Sequence, residues 1–292
     1  AEWDAVRDLD AVVVQWHEAA YPALLRTLPD APVLLYCLGD LSLLANPAVA
    51  VIGSRKATPR GQALAGHMAG AFASWGITVV SGMAWGIDKA AHEAALSRTG
   101  SSIAVLGTGI DVPYPRANTR LYDRMAAKGL LVSEFAPGTP ALRENFPVRN
   151  RIISGLSLGV VVVEAGSSSG SLITAQFAGE QGRTVYAVPG NINSQFSIGT
   201  NLLIRDGAVP LVVVKDVLLD MGLELPEESE KKIALGGDEM AILEIVKRNN
   251  GIHVNEIAHI MNKNIGKISA IITVLEIKGI VISHGGKIHL AN

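Results

Sequence analysis

Phe146-Pro-Val-Arg-Asn-Arg-Ile-Ile-Ser-Gly155 leads into Val160-Val-Val-Val-Glu164, and then into Gly166-Ser-Ser-Ser-Gly-Ser-Leu-Ile-Thr174. The middle segment is the near-continuous β-branched run of a strand buried on both faces. It ends in a turn rich in glycine and hydroxyls, after which helical spacing resumes over Ile173–Gln181. Backbone amides at such a turn cradle a phosphate, and arginine forks grip a second one. Arg149 and Arg151 straddle Asn150 where the preceding helix is expected to begin, and Phe146 stands beside them. That grouping suits a polyanion with flat bases better than a small acid.

Outward from this stretch the same rhythm repeats. Strand-length apolar runs recur at Val49–Ile52, Ile77–Val80, Ile103–Leu106, Leu130–Val132, Val160–Val163, Val185–Val188 and Leu211–Val214. Segments with helical spacing separate most of them, at Gly61–Trp75, Ile87–Arg98, Thr119–Ala127, Ile173–Gln181 and Asn201–Arg205. Alternation of this kind predicts an α/β fold with a doubly wound, mostly parallel sheet, whose ligands sit where strands end and helices begin. Residues 1–48 carry weaker signals, with strands at Val12–Val14 and Val33–Leu38 around a helix at Tyr21–Leu28, and read as a leader packed on the core. The expected Rossmann-like domain covers residues 49–222, followed by a linker at 223–237 and a small domain at 238–292.

The chain has 292 residues, 49% of them hydrophobic, which is ample for a sizeable core. Its formal net charge is −2, so any nucleic-acid contact must come from a local basic groove and not from a bulk positive field. One cysteine, Cys37, excludes an internal disulfide and a cysteine-ligated metal site. With no basic-then-apolar leader and no apolar run of about 18 residues, the expectation is a cytoplasmic protein with no membrane span.

Four strand ends carry small residues. They are Gly53-Ser54-Arg55, Ser81-Gly82 with Gly86-Ile-Asp88, Gly107-Thr-Gly109, and Gly166 to Ser171. Glycine lets a backbone approach a ligand closely, and each following helix offers free amides. One such turn is ordinary; four on one predicted edge indicate a phosphate-lined groove. The segment after Gly53 lacks the Gly-Lys-Ser/Thr ending of an ATP-binding loop, and Val112 stands where a dinucleotide fingerprint needs its third glycine. No histidine pair has zinc spacing, so neither a cofactor nor a metal is expected. Among titratable groups, His92 reads as a packed histidine. Asp88 reads either as a helix-starting carboxylate that caps free amides or as a strand-end carboxylate that holds an arginine or a ribose hydroxyl. Glu164 is expected to pair with a nearby base or with an arginine such as Arg149 or Arg151.

After Glu227-Glu-Ser-Glu-Lys-Lys232 arginine nearly vanishes, while lysine, isoleucine and asparagine become frequent. Helical spacing over Asp238–Lys247, Val254–Met261 and Ile265–Ile277, then a hairpin around Gly285-Gly286, predicts a winged-helix shape. The expected recognition helix offers Lys263, Asn264, Lys267 and Ser269, with no arginine for a bidentate guanine contact. A protein-contact or degenerate role is therefore favoured over reading a specific duplex.

The ordered motifs between Tyr21-Pro22 and Asp216 resemble those of the DNA-processing protein A (DprA/Smf) family. They include Gly53-Ser-Arg55, Ser81-Gly-Met-Ala-Trp-Gly-Ile-Asp88, Ala104-Val-Leu-Gly-Thr-Gly109, Tyr114-Pro115, Phe146 to Ser157, Ser169-Gly-Ser-Leu-Ile-Thr174, Ala187-Val-Pro-Gly190 and Gly199-Thr-Asn201. The resemblance implies an extended Rossmann-like domain that binds single-stranded DNA without enzymatic turnover, acts as a homodimer, and loads RecA recombinase during natural transformation. It implies that Arg55, Arg143, Phe146, Arg149, Asn150 and Arg151 line the DNA groove. The turns at Gly53, Ser54, Ser81, Gly82, Gly107, Ser169, Gly170 and Ser171 would add contacts to phosphates, with Asp88 and Glu164 in support. The helical leader domain of many members is expected to be absent or truncated before Trp3. The alternative is a nucleotide-processing hydrolase of the lysine-decarboxylase-like (phosphoribohydrolase) type, which Glu164 and Ser169-Gly-Ser171 loosely echo.

Overall fold

Strand-length runs become strands because their β-branched residues are covered on both sides. In the computed structural model, described over residues 2–223, 236–277 and 280–290, the chain divides into two units, Ala1–Leu225 and Pro226–Asn292. The first unit follows the order α1 (Glu2–Asp8), β1 (Val12–Gln15), α2 (Ala23–Arg26), β2 (Leu34–Gly39), β3 (Ala48–Ile52), α3 (Pro59–Ser74), β4 (Thr78–Ser81), α4 (Ile87–Ala95) and β5 (Ser102–Val105). It continues through α5 (Thr119–Lys128), β6 (Leu130–Ser133), α6 (Asn145–Gly155), β7 (Gly159–Val162), α7 (Ser171–Glu180), β8 (Thr184–Ala187), α8 (Ile198–Arg205), β9 (Val209–Pro210) and α9 (Asp216–Asp220).

Nine strands form one sheet in the order β1-β2-β6-β5-β4-β3-β7-β8-β9. Pairs β1–β2 and β2–β6 are antiparallel, while every pairing from β6 through β9 is parallel. Every residue of β3 to β7 is buried. The period-two alternation of β3 feeds two cores. Ala48, Ala50 and Ile52 pack with Ile152 and Ile153 of α6 and Ala175 of α7. Val49 and Val51 pack with Met68 and Phe72 of α3 and Ile87 of α4. Burying each large side chain of this kind stabilises the fold by about 1.5–3 kcal/mol.

Two expectations change here. The leader does not merely pack on the core, because β1 and β2 extend the same sheet and join it through β6. The apolar run Leu211–Val214 is not a strand. The edge strand stops at Pro210, and Val212 and Val213 lie exposed beyond it.

The second unit contains α10 (Gly237–Arg248), β10 (Ile252–His253), α11 (Val254–Ile260), α12 (Ile265–Ile277), β11 (Val281–His284) and β12 (Lys287–Leu290). Its antiparallel sheet has the order β10-β12-β11. Ile242, Val246, Ile257, Ile268, Leu275, Val281 and Ile288 form its own core. Asp238 at the start of α10 holds Lys263 and lies 3.7 Å from the Lys267 ammonium. Two cations of the expected recognition region are thus engaged internally. Most of the expected linker, 224–235, lies outside the described residues.

Candidate functional site

Strand β3 is the point where the strand order reverses, with β4 on one side and β7 on the other, both parallel to it. Crossovers leaving such a pair part to opposite faces and open a crevice beyond the carboxyl ends of the strands. A cleft of about 820 Å³ lies there. Gly53 to Lys56, following β3, form one wall, and Gly166 with Ser168 to Ser171, following β7, form another. Arg143, with Phe146, Pro147 and Asn150 of α6, faces them.

The support beneath the first wall is Glu164. Its carboxylate accepts from the Thr58 amide at 2.8 Å and from Thr58 Oγ1 at 2.6 Å. Thr58 Oγ1 in turn accepts from the Gly61 amide at 2.9 Å, capping α3. A negative group at a helix N-terminus is favourable there. A Cβ at Gly61 would fall 2.3 Å from the Glu164 carboxyl carbon, so only glycine admits this approach. Glu164 therefore fixes the 53–58 loop, and its partner is Thr58 and not the expected arginine.

Arg149 occupies a different place from the one its position suggested. Helix α6 begins at Asn145, so Arg149 lies one turn inside it and points into the protein with 4% exposure. Pro147 fits in the first turn, where amides lack intrahelical partners anyway. The Arg149 guanidinium donates to the carbonyl of Gly82 at 3.0 Å and to that of Val105. Asp88 accepts from the amides of Gly82 and Ala84 at 3.2 and 3.3 Å. Asp88 thus holds the amides of the turn that precedes α4, and Arg149 acts on it as a nearby positive charge without a direct hydrogen bond. A Cβ at Gly82 would lie 2.8 Å from Arg149 Nη2 and 2.9 Å from Asp88 Oδ2, so this glycine separates the two charges. Burial raises the Asp88 carboxyl above its usual range, opposed by Arg149. Burial likewise brings Arg149 down to about 10, opposed by Asp88.

Arg151 is also engaged. Two of its nitrogens meet the Glu134 carboxylate at 3.2 and 2.7 Å, and Nε lies 3.1 Å from Asp30. Ser81 is fully buried, and its hydroxyl donates to the Val51 carbonyl at 2.7 Å. Gly107 provides room for a ring, since a Cβ there would lie 2.7 Å from Phe146 Cδ1. Arg149, Arg151, Ser81 and Gly107 consequently build the site from within and do not present free phosphate ligands.

What remains open to solvent is a compact set. Arg55, Lys56 and Arg143 are exposed and, among the described residues, form no ion pair. Phe146 packs 5.2 Å from the Tyr114 ring, with the guanidinium carbons of Arg55 and Arg149 at 5.6 and 6.0 Å from its centroid. Such cations hold the ring by attraction to its π-face. Asn150 Nδ2 donates to the Gly170 carbonyl at 3.4 Å, and the Ser169 hydroxyl meets that of the buried Ser171 at 2.8 Å. Gly170 has open space around it. Ser54 donates its amide to the Glu164 carbonyl at 2.7 Å and accepts from the Lys56 amide at 3.1 Å through its hydroxyl. A Cβ at Gly53 would lie 2.7 Å from Ile87 Cγ1, so this glycine lets α4 pack against the strand end. Sequence reasoning missed Lys56 and Tyr114 as wall residues. Lys56 was legible as the cation after Arg55, whereas Tyr114 is brought in only by the tertiary fold.

His92 is wholly buried beneath this region. Its Nδ1 pairs with Ser102 Oγ at 2.8 Å, and its Nε2 accepts from the Met83 amide at 3.4 Å. Burial, reinforced by Arg149, holds its pKa down at about 3, so the folded ring is neutral. The unfolded ring takes up a proton below about pH 6.5. Its contribution to stability is therefore fully present above that pH and declines as pH falls toward about 3. We expect a loss of roughly 1 kcal/mol per pH unit in that window. His92→Gln should flatten this part of the profile in urea unfolding measured from pH 7 to 4, and an unchanged slope would contradict the assignment.

Among the described residues, no group of three or more His, Cys, Asp and Glu is placed to hold a metal, and no helix is long and apolar enough to cross a membrane. A family model described as DNA recombination-mediator protein A matches residues 12–222. DNA processing protein DprA of Streptococcus pneumoniae is 47% identical over 200 residues, covering 68% of this chain and 71% of its own. Protein Smf of Escherichia coli is 41% identical over 257 residues, covering 81% of this chain and 69% of its own. The X-ray structure of the S. pneumoniae protein superimposes with a TM-score of 0.71 at 42% identity, over 77% of this chain and 80% of that one. DNA processing protein A from Helicobacter pylori, whose structure concerns its single-stranded DNA binding mode, gives 0.65 at 29% identity over 73% and 96%. The match covers the whole nine-stranded sheet and the turns that wall its cleft, and this chain belongs to the DNA recombination-mediator protein A family, the DprA/Smf proteins.

Proposed function

We propose that the cleft beyond β3 and β7 binds single-stranded DNA, and that the protein passes the strand to RecA recombinase in recombination and natural transformation. The observation that carries this reading is the pairing of unneutralised cations with an aromatic ring at the topological switch point. Arg55, Lys56 and Arg143 would neutralise successive phosphates, and Phe146 would stack a base, a contact available to any sequence. Gly53, Ser54, Asn150, Ser169, Gly170 and Ser171 would shape the backbone path. The net charge of −2 leaves this local patch to supply the attraction. The binding mode named for the H. pylori relative supports the same class of ligand.

The remaining parts of the reading follow from family membership. A homodimer is supported by the exposed Val209, Val212, Val213 and Leu219 near the β9 edge. A cytoplasmic setting follows from action on intracellular DNA. The element order of residues 236–290 supports a winged-helix unit, and the pairing of Lys263 and Lys267 with Asp238 favours protein contact over duplex reading there. The hydrolase alternative is disfavoured because both Glu164 oxygens are taken up by Thr58, leaving no poised base.

Competition tests the proposal. A labelled single strand held by the protein should be displaced by unlabelled single strand, and only weakly by duplex or nucleoside monophosphate. Equal displacement by duplex, or release of free base from the monophosphate, would overturn it.

A further inference from the structure

The turn Gly82-Met-Ala-Trp-Gly86 between β4 and α4 is held far more firmly than a connecting loop needs. Asp88 accepts the amides of Gly82 and Ala84, His92 accepts that of Met83, and Asn118 Nδ2 donates to the Met83 carbonyl at 2.9 Å. Met83 is fixed at a φ of 61° and Gly86 at 77°. A left-handed φ is uncommon for a side chain such as methionine and persists where surrounding contacts over-determine it. This rigid turn carries Trp85 outward with 44% of its surface exposed. A large aromatic ring displayed to water on an over-determined turn signals recognition more than packing.

Its surroundings indicate the partner. Trp85, Tyr114, Pro115 and Phe146 edge a small notch of about 60 Å³ that also touches Arg55. Arg55, Tyr114 and Phe146 belong to the main cleft as well, so the two depressions are continuous. The Lys89 ammonium sits 5.7 Å from the Trp85 ring centroid and 3.8 Å from Glu93. An indole with a cation over one face, at the edge of a basic cleft, matches an unpaired base on its other face and a phosphate nearby. The notch is too small to enclose a base, so the base must lie across its rim on the indole.

We infer that Trp85 is a second base-stacking platform, which extends the single-strand path from Phe146 across Tyr114 toward Lys89. The inference rests on the proposed single-strand function and adds a position to it. The test compares affinities for a short oligothymidylate and an abasic strand of equal length, using the full chain, Trp85→Ala and Trp85→Phe. Trp85→Ala should lose about fivefold or more on oligothymidylate, with unchanged affinity for the abasic strand, and Trp85→Phe should retain most of the wild-type value. Oligothymidylate should quench indole emission in the wild type more than in Trp85→Phe. Unchanged oligothymidylate affinity in Trp85→Ala, or an equal loss on both strands, would overturn the Trp85 assignment alone. Failure of the wild-type chain to bind oligothymidylate would overturn the single-strand function and this site with it.

Discussion

Arg149→Met should lower stability by roughly 3–5 kcal/mol, the range for breaking a buried charge pair from one side. Methionine fills much of the same space but donates nothing to the Gly82 and Val105 carbonyls. It also leaves Asp88 buried without its counter-charge. Urea unfolding should show a lower midpoint with an unchanged slope. Adding Asp88→Asn to Arg149→Met should recover part of the loss, with a coupling of at least about 1 kcal/mol. A loss below about 1 kcal/mol in the single variant would mean that Arg149 is not the pin between β4, β5 and α6 that its contacts indicate. Because the effect is on folding, any accompanying loss of DNA binding should scale with the unfolded fraction.

Arg55→Glu should behave in the opposite way. The side chain is exposed and, among the described residues, makes no ion pair. Its removal therefore costs the fold little. Its guanidinium carbon lies 5.6 Å from the Phe146 centroid. A carboxylate there would repel phosphate and withdraw a cation from the ring. Repulsion of this kind costs several kcal/mol at an interface, so single-strand affinity should fall on the order of a hundredfold. Arg143→Glu, at the other side of the cleft, should fall by roughly tenfold on the same reasoning. Anisotropy with a labelled strand, paired with thermal melting of each variant, checks both expectations. An Arg55→Glu protein that melts normally and binds as tightly as the wild type would remove Arg55 from the site.

Much of this was legible before the structure, for identifiable reasons. The parallel core from β3 to β8 announced itself because strands covered on both faces read as near-continuous apolar runs rich in valine, isoleucine and leucine. The glycine turns at the ends of β3 and β7 were readable because backbone approach leaves a compositional mark. Side-chain direction left no such mark. Arg149 and Arg151 look equivalent in sequence, yet α6 begins at Asn145 and turns Arg149 inward while Arg151 meets Glu134 and Asp30. Glu164 finds Thr58 across 106 positions of sequence, a partner that local reasoning does not reach. The leader strands were visible as apolar runs, but their antiparallel entry through β6 is a property of the assembled sheet. The run Leu211–Val214 misleads for a similar reason: contact with β8 ends at Leu211, whose amide donates to the Ala187 carbonyl at 2.9 Å, and Val212 and Val213 then lie exposed.

The central claim is that a local cationic, aromatic cleft binds single strands through phosphates and stacked bases. Its most direct test is a fluorescence-anisotropy titration of a labelled single strand and a duplex of equal length across a range of salt concentrations. Tighter binding to the single strand is expected at every salt. Log affinity should also fall linearly with log salt, steeply enough to report the release of counterions from several phosphates, each contributing about −0.7 to the slope. Equal affinity for both nucleic acids, or single-strand binding indifferent to salt, would contradict it.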